Sequence, residues 1–277
     1  MKRYKNHPLS LILFLLVNLA AVITAAVVLF LIGYILWHGV PNLSLPGIFA
    51  WEYNGENQSM TPAIINTLIM TALTLLLAVP IGVFAAIYLV EYAKKGSKLV
   101  KLIRVTAETL AGIPSIVYGL FGFIVFVITL GWSYTLIAGV ITLAIMILPL
   151  IIRTTEEALM AVPDSFREGS FGLGAGKLRT VFRIVLPSAV PGIAAGIILA
   201  IGRIVGESAA LIFTSGTNPV VAKGLFTSAS TLSVHLYALL TEGLYTEQAY
   251  AVAAVLLFLV IGINALSSVV AKKLTAK

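Results

Sequence analysis

The chain has 277 residues, 60% of them apolar and only 10% charged, with a formal net charge of +7 and a mean hydropathy of +1.05. An ordinary soluble domain carries about 25% charged residues, so this chain cannot cover a water-exposed surface and lipid must solvate much of it. It has no cysteine, which excludes disulfides and thiolate metal sites.

A helix crossing a hydrocarbon core about 30 Å thick needs roughly 20 apolar residues. Six segments qualify: about Leu9–Trp37, Pro62–Val90, Thr109–Leu130, Ser133–Ile152, Ser188–Phe213 and Gln248–Ala271. The first far exceeds the about 7–15 residues of a signal-peptide apolar core, so it reads as a retained anchor. The expected division is residues 1–60 as an N-terminal transmembrane helix with an outer loop flanked by Trp37 and Trp51, and residues 61–277 as the core.

Sixteen of the eighteen Lys and Arg residues fall on one side of a six-span arrangement. They are Lys2, Arg3 and Lys5; Lys94, Lys95, Lys98, Lys101 and Arg104; Arg153, Arg167, Lys177, Arg179 and Arg183; and Lys272, Lys273 and Lys277. Basic residues mark the cytoplasmic side, so both termini are expected inside. The positive charge then belongs beside lipid, and no nucleic-acid partner is called for. In the second span Asn66, Thr67 and Thr71 share one face, and Ser115 and Tyr118 lie in the third. These side chains are candidates either for a polar path or for hydrogen bonds between helices. Gly119 with Gly122, and Gly192 with Gly196, have the spacing that lets helices approach closely. His7, His38 and His235 are scattered without ligand spacing, so no metal is expected.

Between the fourth and fifth spans lie about 35 residues, Arg153 to Pro187, longer than an ordinary connection of about 12–15 residues at most. Asp164 or Ser165 is expected to cap a helix with Glu168 in its first turn, and Gly172, Gly174 and Gly176 to interrupt it. Lys177–Val185 is expected to form a second short helix on the membrane surface. Gly172 to Lys177 imitates a phosphate loop, but Phe171 stands where the first glycine belongs and Leu178 where the hydroxyl residue belongs. No nucleotide or other cofactor is therefore expected on this chain; if it is energised by ATP, the ATP and magnesium would sit on a separate ATPase subunit.

The pattern Glu-Ala-Ala-x3-Gly-x9-Ile-x-Leu-Pro is the cytoplasmic signature of bacterial ABC importer permeases. This chain resembles it at Glu168, Gly174, Ile184, Leu186 and Pro187, with Gly169 and Ser170 in place of the two alanines. The resemblance implies an all-α integral membrane fold of six helices of the type I importer kind. It also implies that this segment couples to an ATPase through those residues, with Arg167 beside them.

The fifth expected span holds Arg203 and Glu207, four residues apart and so on one helix face. Buried charges in a membrane usually face a polar cavity or a partner. Two readings stand: an internal ion pair, or a solute path in which the guanidinium fork meets an oxyanion. On the second reading Glu207 would accept a hydrogen bond from protonated phosphate, which ionised sulfate does not offer.

The words around these residues resemble the phosphate permease subunits of the PstA type over about residues 60–271. They are Ala86–Tyr92, Ala111–Gly122, Val162–Glu168, Ile201–Thr214, Ser233–Tyr237 and Thr241–Gly243. That resemblance implies a phosphate importer of the bacterial inner membrane. Its partners would be a PstC-type permease, a PstB-type ATPase dimer and an extracytoplasmic phosphate-binding protein docking near the loop Thr214–Glu247, where a short surface helix is expected. The alternatives are an importer of sulfate or molybdate, a secondary transporter driven by an ion gradient, and a non-transporting scaffold.

Overall fold

The computed structural model describes residues 8–54, 57–94 and 96–275. Lys2, Arg3, Lys5, His7, Lys95 and Lys277, read above, lie outside the described residues. Among those described, every regular element is a helix, the form that satisfies backbone polar groups inside lipid without a closed barrel.

Helix α1 (Pro8–Asn42) leaves its large apolar side chains from Ile12 to Leu31 exposed. It rests on α11 (Thr246–Thr275), where Gly39 admits the backbone of Tyr250 and the side chain of Ala254. Helix α2 (Thr61–Ile87) opens with Pro62, whose missing N–H costs nothing in a first turn, and ends in a wide π turn, Tyr88–Tyr92. Helix α5 (Leu136–Met160) is capped by the Thr135 hydroxyl, which accepts from the Ala138 amide at 3.4 Å.

Three boundaries differ from the sequence reading. Thr109–Ala111 belong to a separate helix, α3 (Lys98–Ala111), bent by 101° from α4 (Ser115–Gly122) and its π extension Phe123–Thr129. Gly112 ends α3 and Pro114 forces Ile113 out of helical geometry, so the six-span count holds only if this bent pair makes one span. Lys177–Val185 is no separate helix. α7 (Lys177–Thr180), a π turn at Val181–Val185 and α8 (Leu186–Val205) run on as one helix of 29 residues. The Leu186 amide reaches back to the Val181 carbonyl, and that wider turn takes in Pro187, whose ring would clash in a regular ladder. The helix then stops at Gly206, so Phe213 lies in a different element, α9 (Ala209–Thr214).

The apolar core has three levels. The central one joins Met70, Leu143, Ile147, Ile204 and Leu211. At the basic end Ile87, Leu159, Val181 and Val185 pack together. At the far end Ile48, Met60, Leu232 and Val252 do so, with α10 (Leu232–Glu242) inserted by its buried first turn. The expected surface helix is thus partly a core element. Small residues set the α5–α8 seam: a Cβ on Gly192 or on Gly196 would lie 2.6 Å from the Cβ of Ala158 or of Thr154.

Candidate functional site

A cavity of about 450 Å³ opens between α3, α5 and α8. Its charged lining is Arg104 and Glu108 from α3, Arg153, Glu156 and Glu157 from α5, and Arg203 from α8. The α5–α8 register fixes the depth of Arg203. Gly192 faces Ala158 near the basic end, and Arg203 is eleven residues further along, roughly 16 Å at the helical rise. Arg203 therefore lies at the end of the cavity level with the central core, while Glu157 and Met160 line its basic end.

The charges are not equally engaged. Arg104 Nε meets Glu156 Oε1 at 3.2 Å, with the carboxylate side chain only 9% exposed. Arg153 Nε meets Glu157 Oε1 at 3.0 Å, one helical turn away and open to solvent. Among the described residues none hydrogen-bonds or ion-pairs with Arg203. A guanidinium level with the central core, facing a cavity, with its five donors open, has the geometry to accept an oxyanion.

Glu207 does not join it. The helix ends between them, so the expectation of one shared helix face fails. Glu207 is buried, and its Oε1 accepts from the Ala210 amide at 3.1 Å, capping α9. Its carbonyl takes the Ser233 hydroxyl at 2.5 Å, tying the break to α10. The other expected path residues are likewise engaged locally. Asn66, fully buried, donates to the carbonyls of Val220 at 2.9 Å and Ser230 at 3.1 Å and accepts from the Ala222 amide at 3.0 Å. The Thr67 hydroxyl donates to the Ala63 carbonyl at 2.7 Å and accepts from the Leu232 amide at 2.8 Å, so it caps α10 from outside. Of the two readings open for these residues, the structure displays hydrogen bonds between elements. The Tyr118 hydroxyl donates to the Leu110 carbonyl at 2.8 Å, bracing the bend between α3 and α4. Ser115 opens α4 at that bend.

Beside the basic end of the cavity lies α6 (Asp164–Gly172). Pro163 takes the cap position without a side-chain bond and Asp164 stands in the first turn, so Glu168, expected there, falls in the second turn and is exposed. Gly174 reverses the chain at φ +82°. The Ser170 and Thr180 hydroxyls, 2.8 Å apart, join α6 to α7. Phe166, Phe171, Leu173 and Leu178 stay exposed, Leu173 to 91%, an apolar patch of the kind that marks a protein contact. Ile184 lies in the π turn, with Leu186 and Pro187 just past it.

A family model described as "Binding-protein-dependent transport system inner membrane component" matches residues 78–276, which span the cavity and α6. The chain belongs to this family. The permease is 35% identical over 284 residues to the probable ABC transporter permease protein YqgI of Bacillus subtilis, covering 94% of this chain and 95% of that one. It is 35% identical to the phosphate transport system permease protein PstA of Mycobacterium leprae, covering 80% and 72%. The PstA of Yersinia pestis is also 35% identical, with 79% and 77% covered. In fold it matches a bacterial alginate ABC transporter solved with its pentasaccharide-bound periplasmic protein (TM-score 0.71, 17% identity, 99% of each chain). It also matches the inward-facing MetNI methionine ABC transporter (TM-score 0.62, 21% identity, 78% of this chain and 94% of that chain). The permease is a multi-pass membrane protein with the ABC importer fold.

Several charged residues of this permease escaped the sequence reading. Arg153 and Glu157 show an i,i+4 pattern, but Glu156 finds Arg104 across 52 positions, and nothing local announces that pairing. Glu91 was visible only within Ala86–Tyr92, with no role attached.

Proposed function

We propose that this permease is one of two membrane subunits of an ATP-driven phosphate importer, with its basic end and both termini on the cytoplasmic side. The cavity is then an inward-opening vestibule, and phosphate leaves past Arg203. The observation that carries this reading is the unpaired Arg203 at the vestibule's deep end, together with 35% identity to proteins named as phosphate permeases. Those names favour phosphate over sulfate or molybdate, and the family favours ATP over an ion gradient. Glu207 acts here by holding the helix break behind Arg203 and not as an acceptor of the phosphate hydroxyl.

The exposed face of α6 and its flank, with Glu168, Phe171 and Leu173, would dock on a PstB-type ATPase dimer that binds ATP and magnesium. Gly174 supplies the turn that presents this face. A PstC-type permease would complete the vestibule wall, and an extracytoplasmic phosphate-binding protein would deliver solute at the far end.

The test is uptake into vesicles holding the assembled complex, phosphate against sulfate, with and without ATP. Hydrogen bonds to a charged group contribute about 1.5–3 kcal/mol each. Arg203→Ala is therefore expected to cut phosphate uptake by roughly 10- to 150-fold while assembly persists. Arg203→Lys, which keeps the charge without the fork, should fall between. Undiminished uptake by Arg203→Ala would remove the guanidinium from the path.

A further inference from the structure

Arg167 was expected beside the signature, either in the ATPase-coupling set or as one more basic residue on the inner side. In the structure all five of its N–H donors are engaged. Nε and Nη2 bridge one oxygen of Glu91 at 3.1 and 2.7 Å. Nη2 also reaches the Leu159 carbonyl at 2.9 Å, and Nη1 reaches the Val162 carbonyl at 2.8 Å and Asp164 at 3.2 Å. The Arg167 and Glu91 side chains are only 14% and 8% exposed. Glu91 belongs to the π turn that ends α2, 76 positions earlier in the chain. Separating the pair would leave the Glu91 carboxylate buried without its partner, so the two groups move together.

The other end of the same helix is fastened as firmly. The Asn66 and Thr67 side chains make five hydrogen bonds between them, four of which reach Val220, Ala222 and Ser230 in the segment joining α9 to α10 and Leu232 at the start of α10. Between the two fastenings α2 is one unbroken membrane-length helix, Thr61–Tyr92. It is seated against α5 at Gly82, where a Cβ would lie 2.6 Å from Ile151 Cγ2. From Asn66 to Glu91 is roughly 37 Å along the axis.

We infer that α2 is a tie rod linking the ATPase-docking helix α6 to the outer segment 217–231, with the Glu91–Arg167 pair as its inner fastening and Asn66 and Thr67 as its outer one. Movement of α6 is thereby felt at the far end, where a solute-binding protein would sit. Glu91 is a positioning residue: it touches no solute and acts through Arg167. The inference rests on the proposed docking of an ATPase at α6.

The test uses the whole complex in lipid nanodiscs with a reporter at Thr217, which is exposed in the outer segment. This chain has no cysteine, so Thr217→Cys gives it a single labelling site for a membrane-impermeant maleimide. The labelling rate is measured without nucleotide and with ATP plus vanadate. The parent is expected to show a severalfold change between the two states, Glu91→Asp to keep it, and Glu91→Gln to lose it while ATP is still hydrolysed. A Glu91→Gln complex with the parent's full response overturns the tie rod. A parent that ignores nucleotide sinks the ATP-driven reading itself, and the tie rod with it. If Glu91→Gln does not assemble, Arg167→Lys takes its place. It keeps the charge but offers three donors on one nitrogen in place of five spread over a planar fork, so loss of response is expected and a full response overturns the inference.

Discussion

Replacing Gly196 by alanine tests the seam that forms one wall of the vestibule. The new Cβ would lie 2.6 Å from Thr154 Cβ and closer still to its hydroxyl oxygen. Ordinary carbon–carbon contact lies at about 3.5–4.0 Å, so α5 and α8 must part by roughly 1 Å. Thr154 cannot simply swing away, because its hydroxyl is bonded to the Leu150 carbonyl at 2.9 Å. Overpacking of this kind costs about 1–3 kcal/mol, against a gain of about 0.5–1 kcal/mol from alanine's better helix propensity. The net expectation is a loss of roughly 0.5–2 kcal/mol, read as a lowered unfolding midpoint of the detergent-solubilised permease. Gly202 on the same helix is the control: its Cβ would meet nothing within 4 Å, so Gly202→Ala should be neutral or slightly stabilising. Equal midpoints for the two variants would refute the close-packed seam.

Three further outcomes are expected. Asn66→Ala leaves two carbonyls and an amide of the outer segment unbonded in a buried site, costing about 3 kcal/mol, and hydrogen exchange across 217–231 should accelerate. At Gly174 the surrounding space is open, so substitution is opposed only by the backbone at φ +82°. Gly174→Val should cost about 1–2 kcal/mol of local stability and weaken ATP-driven uptake, Gly174→Asn distinctly less; equal uptake by both would contradict this. Burial holds the His235 imidazole below its ordinary pKa of 6.5. The unfolded state therefore takes up a proton first, and stability present above that value declines as pH falls through it. Proteolysis of the outer segment should rise between about pH 7.5 and pH 5, and His235→Gln should remove that dependence.

Hydropathy located the membrane helices because lipid demands long apolar runs, and the Gly192 and Gly196 spacing showed where two of them touch. Hydropathy also misled at Gly206. Apolar residues continue from Ile201 to Phe213, yet the helix stops because Glu207 turns inward to cap the next one. At Pro187 the error was opposite: a residue read as a boundary lies inside a helix, because a π turn widens the ladder just before it. The Glu91–Arg167 and Arg104–Glu156 pairs were out of reach, since each joins elements whose neighbourhood is decided by tertiary packing. Arg203 was legible by itself, as a costly charge inside an apolar run; its lack of a protein partner was not.

The continuity of Lys177–Val205 has a mechanical consequence. The helix is roughly 43 Å long, more than a bilayer core requires, and it is gripped at the basic end by the buried side chains of Val181, Val185 and Ala189. Taking that grip as a fulcrum near Val185, the arm to Lys177 is roughly 12 Å and the arm to Arg203 roughly 27 Å. A small rigid swing at Lys177 would therefore be magnified about twofold at the guanidinium. Such a lever would gear a short stroke up into a longer one and give away force in the same proportion.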